Sequence, residues 1–538
     1  MRTNFLHILS FLTLPILLPV GASAATLTVG LASEPTSTDP HYHSFTPNNG
    51  LARSLYGALV TTDANQQTVP DLATSWSVEG DNVWTFNLRK GVKFSNGAPF
   101  TAKDVIFTFC RVRNNPQAIS DYFGNPVTNF AKIETPDDHT VRITTKVPEP
   151  LMPERMAEMA ILSAGIVKHG EIAFDLAKGC GVTGEWPTLA RFNSGEDAIG
   201  TGPFKLTKYT KGAGVELARN ENYWGEKPAW EKVTLLPIPN AGPRLAGLLA
   251  GNYDLIENPA ARDVRQLEGD PRFGVTIRPS NRVIFLQMNV SKDQSPSVVT
   301  QNGTNPFKDE RVRRAISMAI DRDTIVKRIM DGAAAPASQF VPETMFGAQP
   351  NPEPLVYDPE GAKKLLAEAG YPNGFKVTFA ATNDRYINDS QVAQAIAQYL
   401  SRVGIQADVD AMTASIFFTR RSKSEFALSM GGWGSTTGGA SSFLQQFVAT
   451  LDKDRGVGRS NYGGWSDPAF DAVILKAIAT VDETKRAELL REAGKLALKK
   501  LPDIPIHFES TIWAFRKGIQ FEGRMDQYTL PALAKAVK

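Results

Sequence analysis

The sequence predicts an α/β protein of more than one domain, sent out of the cytoplasm. Three observations carry this. Amphipathic helices end at a glycine and are followed at once by a strand, as in helix 391–403, Gly404 and strand 405–409. Two apolar runs, SNRVIFLQMN (280–289) and IPIHFESTIWAF (504–515), each read as a buried strand that passes from one domain to the next. Two such crossings mean that the chain leaves the first domain and returns to it. The N-terminus carries Arg2, an apolar run over 5–20 and the small residues Ala22-Ser23-Ala24, the pattern of a cleavable export signal covering residues 1–24. The run is short for a membrane span and contains two prolines. No cysteine follows it, so a lipoprotein anchor is not expected.

The other elements follow in chain order. Trp84, Phe86 and Leu88 alternate with Thr85 and Asn87, a half-buried strand. Lys90-Gly91 and Ser95-Asn96-Gly97 are turns. Thr101 caps a helix to Arg111, with Asp104 placed to complete a capping box. A helix spans 307–331, with Val312, Ile316, Ala319 and Ile320 on one face and a stop at Gly332. Its charged start, Lys308 to Arg314, reads as a solvated face with i,i+4 pairs. Asp358-Pro359 opens another helix that Gly370 closes, and a last long helix covers 484–500.

Composition excludes several functions. The 58 Lys+Arg against 56 Asp+Glu leave a net charge of +2, which gives no reason to expect a nucleic-acid partner. The chain contains no phosphate loop, zinc-protease helix or nucleophile elbow, so no enzyme, cofactor or metal site is expected. His41 and His43 share a face if the segment is extended, but two histidines alone are more simply structural. Cys110 and Cys180 are compatible with one disulfide or with two buried thiols.

Five blocks in order resemble the extracellular family 5 solute-binding proteins of bacterial ABC importers. They are VWTFNLRKGVKFSNGAPFTAKDVIFTF (83–109), IGTGPFKLTKY (199–209), ARNENYWGEKP (218–228), FKDERVRRAISMAIDRDTIV (307–326) and YDPEGAKKLLAEAGYPNGF (357–375). The resemblance implies a two-lobe periplasmic clamshell of the large class, with an extra subdomain in lobe I. Lobe I would comprise 25–65, 200–280 and 508–538, the subdomain 66–199, and lobe II 281–507. It implies a monomeric periplasmic receptor that captures peptides (dipeptides, oligopeptides or cell-wall-derived peptides) and delivers them to an ABC permease. A sugar, an opine-like conjugate or a metal chelate is the alternative ligand.

Candidate ligand-binding residues come from the resemblance at 430–439 and near the N-terminus, and from local pattern at 383–389. MGGWGSTTGG (430–439) falls on the loop that faces the ligand, with Trp433 as an apolar wall, Gly434 giving close backbone approach, and Ser435, Thr436 and Thr437 as hydroxyl partners. Peptide binders of the family often place an aspartate soon after this tryptophan; here there is none. The strand-to-helix loop 383–389 offers Arg385 for a carboxylate, Asp389 for an amine, and Tyr386 and Asn388 beside them. Tyr42 and Asn48 are the candidates from lobe I. Hinges are expected at Asn281-Arg282 and at 507–510.

Overall fold

The computed structural model describes residues 25–537 except 119–121, 296, 302, 436 and 454. The leader and Thr436 therefore lie outside the described residues. A twelve-stranded mixed sheet runs through the molecule. At its centre the strands Phe273–Met288 and Asp503–Arg516 pair antiparallel, from Phe273 opposite Arg516 to Gln287 opposite Asp503. They are the two crossing strands that the apolar runs predict. Toward one end they lead to Leu255–Glu257, Thr26–Leu31 and Lys232–Pro237. Toward the other they lead to Leu428–Gly434 and then Phe375–Thr382.

The apolar residues divide in the same way. One core is drawn from residues 27–255 and 513–534, and includes Val29, Phe86, Phe109, Phe204 and Trp513. A second lies within 284–506 and includes Leu286, Ile316, Phe379 and Ile396. A third, centred on Phe285, Phe443 and Phe447, backs the opposite face of the second lobe. Each lobe thus buries its own apolar surface, and the crossing strands join them.

A four-stranded antiparallel sheet, Ala73–Glu79, Val83–Leu88, Thr140–Thr145 and Phe130–Asp137, shares the first lobe's core. Trp84, Phe86 and Leu88 point inward, as their alternation requires. The helix Ala102–Arg113 has the full capping box: Asp104 Oδ2 accepts the Thr101 N–H at 2.8 Å. A cap of this kind stabilises a helix by about 1 kcal/mol. Cys110 on this helix is joined to Cys180 by a disulfide, which settles the alternative left open by the sequence.

The helix expected over 307–331 is broken. An α-helix runs over Glu310–Ala319, and a new start at Asp321, which caps Thr324 N–H, leads into a π turn over Ile325–Ile329. The cause is Arg322. Its guanidinium turns inward and donates to the carbonyls of Ser317, Ile320 and Pro505. The charged start of this segment is also not wholly solvated. Arg313 is buried and donates to the carbonyls of Phe307, Lys500 and Leu501, while Glu310 and Arg314 form the expected i,i+4 pair at 3.6 Å.

The two expected hinge segments stand side by side. The crossing strands lose register between Pro279 and Val283, and residues 508–510 lie opposite that break.

Candidate functional site

A cavity of about 200 Å³ lies between the lobes. The first lobe lines it with Ala32 and Ser33 after the strand Thr26–Leu31, with Phe45 and Thr46 at the start of the helix Thr46–Leu55, and with Glu257 and Thr529. Arg385 and Ile387 come from the second lobe, and Arg282 and Glu509 from the crossing strands. A larger cavity, about 290 Å³, opens around Arg53, Asp71 and Trp224. It is lined by the first lobe and the C-terminal segment alone, so occupying it would not couple the lobes. The cleft between them is the site of interest. The lobes are in contact: Val481 of the second packs against the core of the first.

Arg282 and Glu509 face each other, with Nη1 and Oε2 3.6 Å apart. Glu509 Oε1 also accepts the Ile387 N–H at 2.9 Å. Burial raises the Glu509 carboxyl and lowers the Arg282 guanidinium. Glu257 accepts the Ala32 N–H at 2.8 Å and the Thr529 hydroxyl, and burial raises its carboxyl too.

The loop 383–389 divides into one exposed group and a framework. Arg385 is exposed; its guanidinium stands 5.3 Å from the Tyr386 ring and makes no ion pair among the described residues. Asp389 is buried. One of its oxygens accepts the Thr382 hydroxyl at 2.7 Å and the N–H groups of Arg385 and Tyr386 at 3.0 and 3.1 Å. It therefore shapes the loop, and its other oxygen accepts the Ser390 N–H at 2.9 Å. Tyr386 is buried, and its hydroxyl exchanges hydrogen bonds with the backbone of Gly432. Asn388 is left-handed at φ 52° and donates to the Ile329 carbonyl.

The stretch 430–439 differs from its expected form. Its first half is the end of the strand Leu428–Gly434, with Trp433 opposite Val283. The Trp433 ring stands edge-on to Phe447 at 5.1 Å, and its Nε1–H donates to the Ser442 hydroxyl at 2.9 Å. The indole packs on the second lobe's own core rather than lining the cavity. The Ser435 hydroxyl accepts the Gly439 N–H at 3.3 Å and lies 3.1 Å from the Gly439 carbonyl. Its own carbonyl accepts from Gln66 Nε2 at 3.0 Å and Asn281 Nδ2 at 2.6 Å, and Asn281 also donates to Gln66 Oε1 at 2.7 Å. The small residues are needed for this contact. A Cβ on Gly434 would come within 2.8 Å of Asn281 Oδ1, and one on Gly438, already at φ +68°, within 2.7 Å of the Gln66 carbonyl. Thr437 is half-buried, and its hydroxyl has no hydrogen-bond partner among the described residues.

Asn48 is buried and clamps Thr36, accepting its N–H at 3.0 Å. Tyr42 is half-buried, edge-on to His43, and neither residue lines the cavity. His41 is buried against Phe123. Among the described residues no group of three or more His, Cys, Asp or Glu is placed to hold a metal, and no helix is long and apolar enough to cross a membrane. The sequence reading missed Glu257 and Gln66. Nothing local marks them; each acquires its place from residues far along the chain.

Two lobes, two crossing strands and a polar cavity between the lobes define a binding protein of the clamshell type. Residues 67–455 match the family model described as "Bacterial extracellular solute-binding proteins, family 5 Middle", and the chain belongs to that family. It is 28% identical over 524 residues to the dipeptide-binding protein of Escherichia coli, covering 93% of each chain. It is 28% identical over 488 residues to heme-binding protein A of Haemophilus influenzae, covering 86% of this chain and 83% of that one. Among solved structures it resembles the periplasmic binding protein DppA of Helicobacter pylori in complex with the peptide STSA. The TM-score is 0.74 at 26% identity, with 95% of this chain and 98% of that chain covered.

Proposed function

We propose that this protein is a periplasmic receptor that captures peptides between its lobes and passes them to an ABC permease in the inner membrane. The observation that carries this is the cavity shared by both lobes, with the exposed Arg385, which makes no ion pair among the described residues, on one wall. A solute shifts an open–closed balance only through contacts that differ between the two states, and a ligand touching both lobes makes such contacts only when they close. Relatives named for dipeptide binding and for a bound tetrapeptide support a peptide as that solute.

In this reading the chain is exported by its leader, is not a lipoprotein, acts as a monomer, binds no nucleic acid and catalyses no reaction. Lobe I is 25–65, 200–280 and 508–538, with 66–199 as its subdomain, and lobe II is 281–507. Arg385 grips an anionic group of the ligand. A second reading, a non-peptide solute such as a sugar, an opine-like conjugate or a metal chelate, is favoured by the absence of any acid in 430–439.

Native mass spectrometry of protein purified without unfolding tests both. A retained adduct with a peptide mass is the expected result. An adduct of another class selects the second reading. Turnover of a substrate would remove the receptor function itself.

A further inference from the structure

Away from the cleft the lobes meet again. The helix Met152–Glu158 buries Met152 and Met156 in the core of the first lobe. Across from it lies the start of the helix Glu483–Lys500, which buries Leu490, Ala493 and Ala497 in the second lobe's core around Phe443 and Phe447. Val481, just before that helix, packs against the first lobe's core, and the charges of Arg486 and Glu483 act on Glu154. Neither Glu154, Val481 nor Arg486 lines the cavity between the lobes.

Glu154 has no paired cation at this contact. Its Oε2 is shut off from solvent and has no hydrogen-bond partner among the described residues. Arg486 is buried on the facing element, yet among the described residues no ion pair joins the two. Its guanidinium donates to the carbonyls of Thr480 and Val481 at 3.3 and 3.0 Å and stands 4.9 Å from the Phe346 ring, so it shapes its own lobe. On the first lobe Arg155 is paired with Glu149 at 2.9 Å, and Arg53 with Glu158 at 3.5 Å. The strands Val60–Thr62 and Thr68–Pro70, packed on the same helix, bring no ionisable side chain. Glu483 and Glu149 add negative charge. An ionised Glu154 is therefore costly to enclose here, while the neutral acid is tolerated. Burial accordingly pushes its carboxyl from 4.5 up to about 7, against the smaller pull of its own backbone N–H and of Arg486.

We propose that Glu154 is a proton-operated clasp between the lobes, taking up a proton when they close and releasing it when they part. Parting the lobes returns the carboxyl to water and toward its ordinary value of 4.5. The closed form binds the proton more tightly, so this contribution to closure is complete below about pH 4.5 and is lost as pH rises through about 7. Three other carboxyls are raised into the same range, Asp71 and Asp197 to about 6 and Asp503 to about 8, but the charges acting on each belong to its own lobe. A solute that binds the closed form is then held more tightly as the medium acidifies. The clasp rests on the two-lobe architecture and not on the identity of the solute.

The test places spin labels on exposed sites of the two lobes, Lys103→Cys and Lys364→Cys, in solute-free mature protein; Cys110 and Cys180 are held in their disulfide. Double electron–electron resonance then reads the closed-to-open ratio. Between pH 8 and pH 5.5 that ratio should rise about tenfold. Glu154→Gln keeps the shape and stays neutral. It should be as closed at pH 8 as the wild type is at pH 5.5, and should not respond to pH. Thermal melting within a few degrees of the wild type separates this from misfolding. A wild-type ratio equal at both pH values, or a Glu154→Gln ratio that follows the wild-type pH profile, overturns the proposal. A mixed di- and tripeptide pool added at pH 8 tests the receptor reading separately. Closure by the pool with no effect of pH removes the clasp and leaves the receptor, whereas closure by acid with none by the pool leaves the clasp and removes the peptide reading.

Discussion

The stretch 430–439 and the loop 383–389 lie on the same lobe and share a contact, the Tyr386 hydroxyl on the Gly432 backbone. They use their polar groups in opposite ways. In the first, the Ser435 carbonyl and the glycine backbone receive Gln66 and Asn281, so the close approach is made by the protein itself. In the second, Asp389 and Asn388 fold the loop from within and leave Arg385 exposed. Glycines and small hydroxyls in a row signal that something comes near the backbone, without saying what. An exposed guanidinium that makes no ion pair among the described residues is the stronger sign of a ligand.

The sharpest way to break this contrast is Asp389→Ala. Four donors would lose an acceptor, and stability should fall by about 3 kcal/mol, read by denaturant unfolding. A loss below about 1 kcal/mol would mean that Asp389 does not hold the loop. Gly438→Val comes next. A side chain at φ +68° facing the Gln66 carbonyl should cost about 2 kcal/mol, and hydrogen exchange should quicken at Gly439. Unchanged exchange would mean that this stretch does not depend on the contact with the first lobe.

Gln66→Ala removes the amide that links the first lobe to Ser435, at a cost of about 1 kcal/mol. Small-angle scattering of the solute-free variant should then report a wider outline than the wild type. Equal outlines would confine Gln66 to local packing.

A pH-dependent effect is expected behind the glycine strand. Arg421 stands there with the rings of Phe285, Phe417, Phe447 and Tyr462 between 5.2 and 5.9 Å away, and Asp503 is buried within reach of its charge. Burial raises the Asp503 carboxyl to about 8. The folded chain then keeps this proton up to about pH 8, while the unfolded chain releases it near pH 4. This group's contribution is therefore fully present below about pH 4 and is lost as pH rises toward about 8. Asp503→Asn should flatten the fall of the melting temperature between about pH 5 and pH 8. An undiminished slope in the variant would mean that other groups set it.

Much of this molecule was legible in one dimension. The capping box at Thr101 and Asp104, the helix start at Asp358-Pro359 and both crossing strands depend on neighbours a few residues away or on long apolar runs, and they stand where the sequence puts them. The helix over 307–331 did not survive, because the carbonyl of Pro505, 183 residues distant, helps hold the Arg322 side chain that interrupts it. The cleft was half legible. Arg385 could be found as a cation in a strand-to-helix loop, whereas Glu257 looks like any other acid at a strand end.

The sequence by itself determined the strands and helices, the family and the double crossing between lobes, because periodicity, caps and apolar runs act over short distances. Only the tertiary structure decided that Trp433 turns to its own lobe's core, that Gly434 and Gly438 make room for Asn281 and Gln66, and that Glu257 and Arg385 share one cavity. Those outcomes depend on which remote groups supply the missing hydrogen bond or charge, and such partners are set by packing rather than by spacing along the chain.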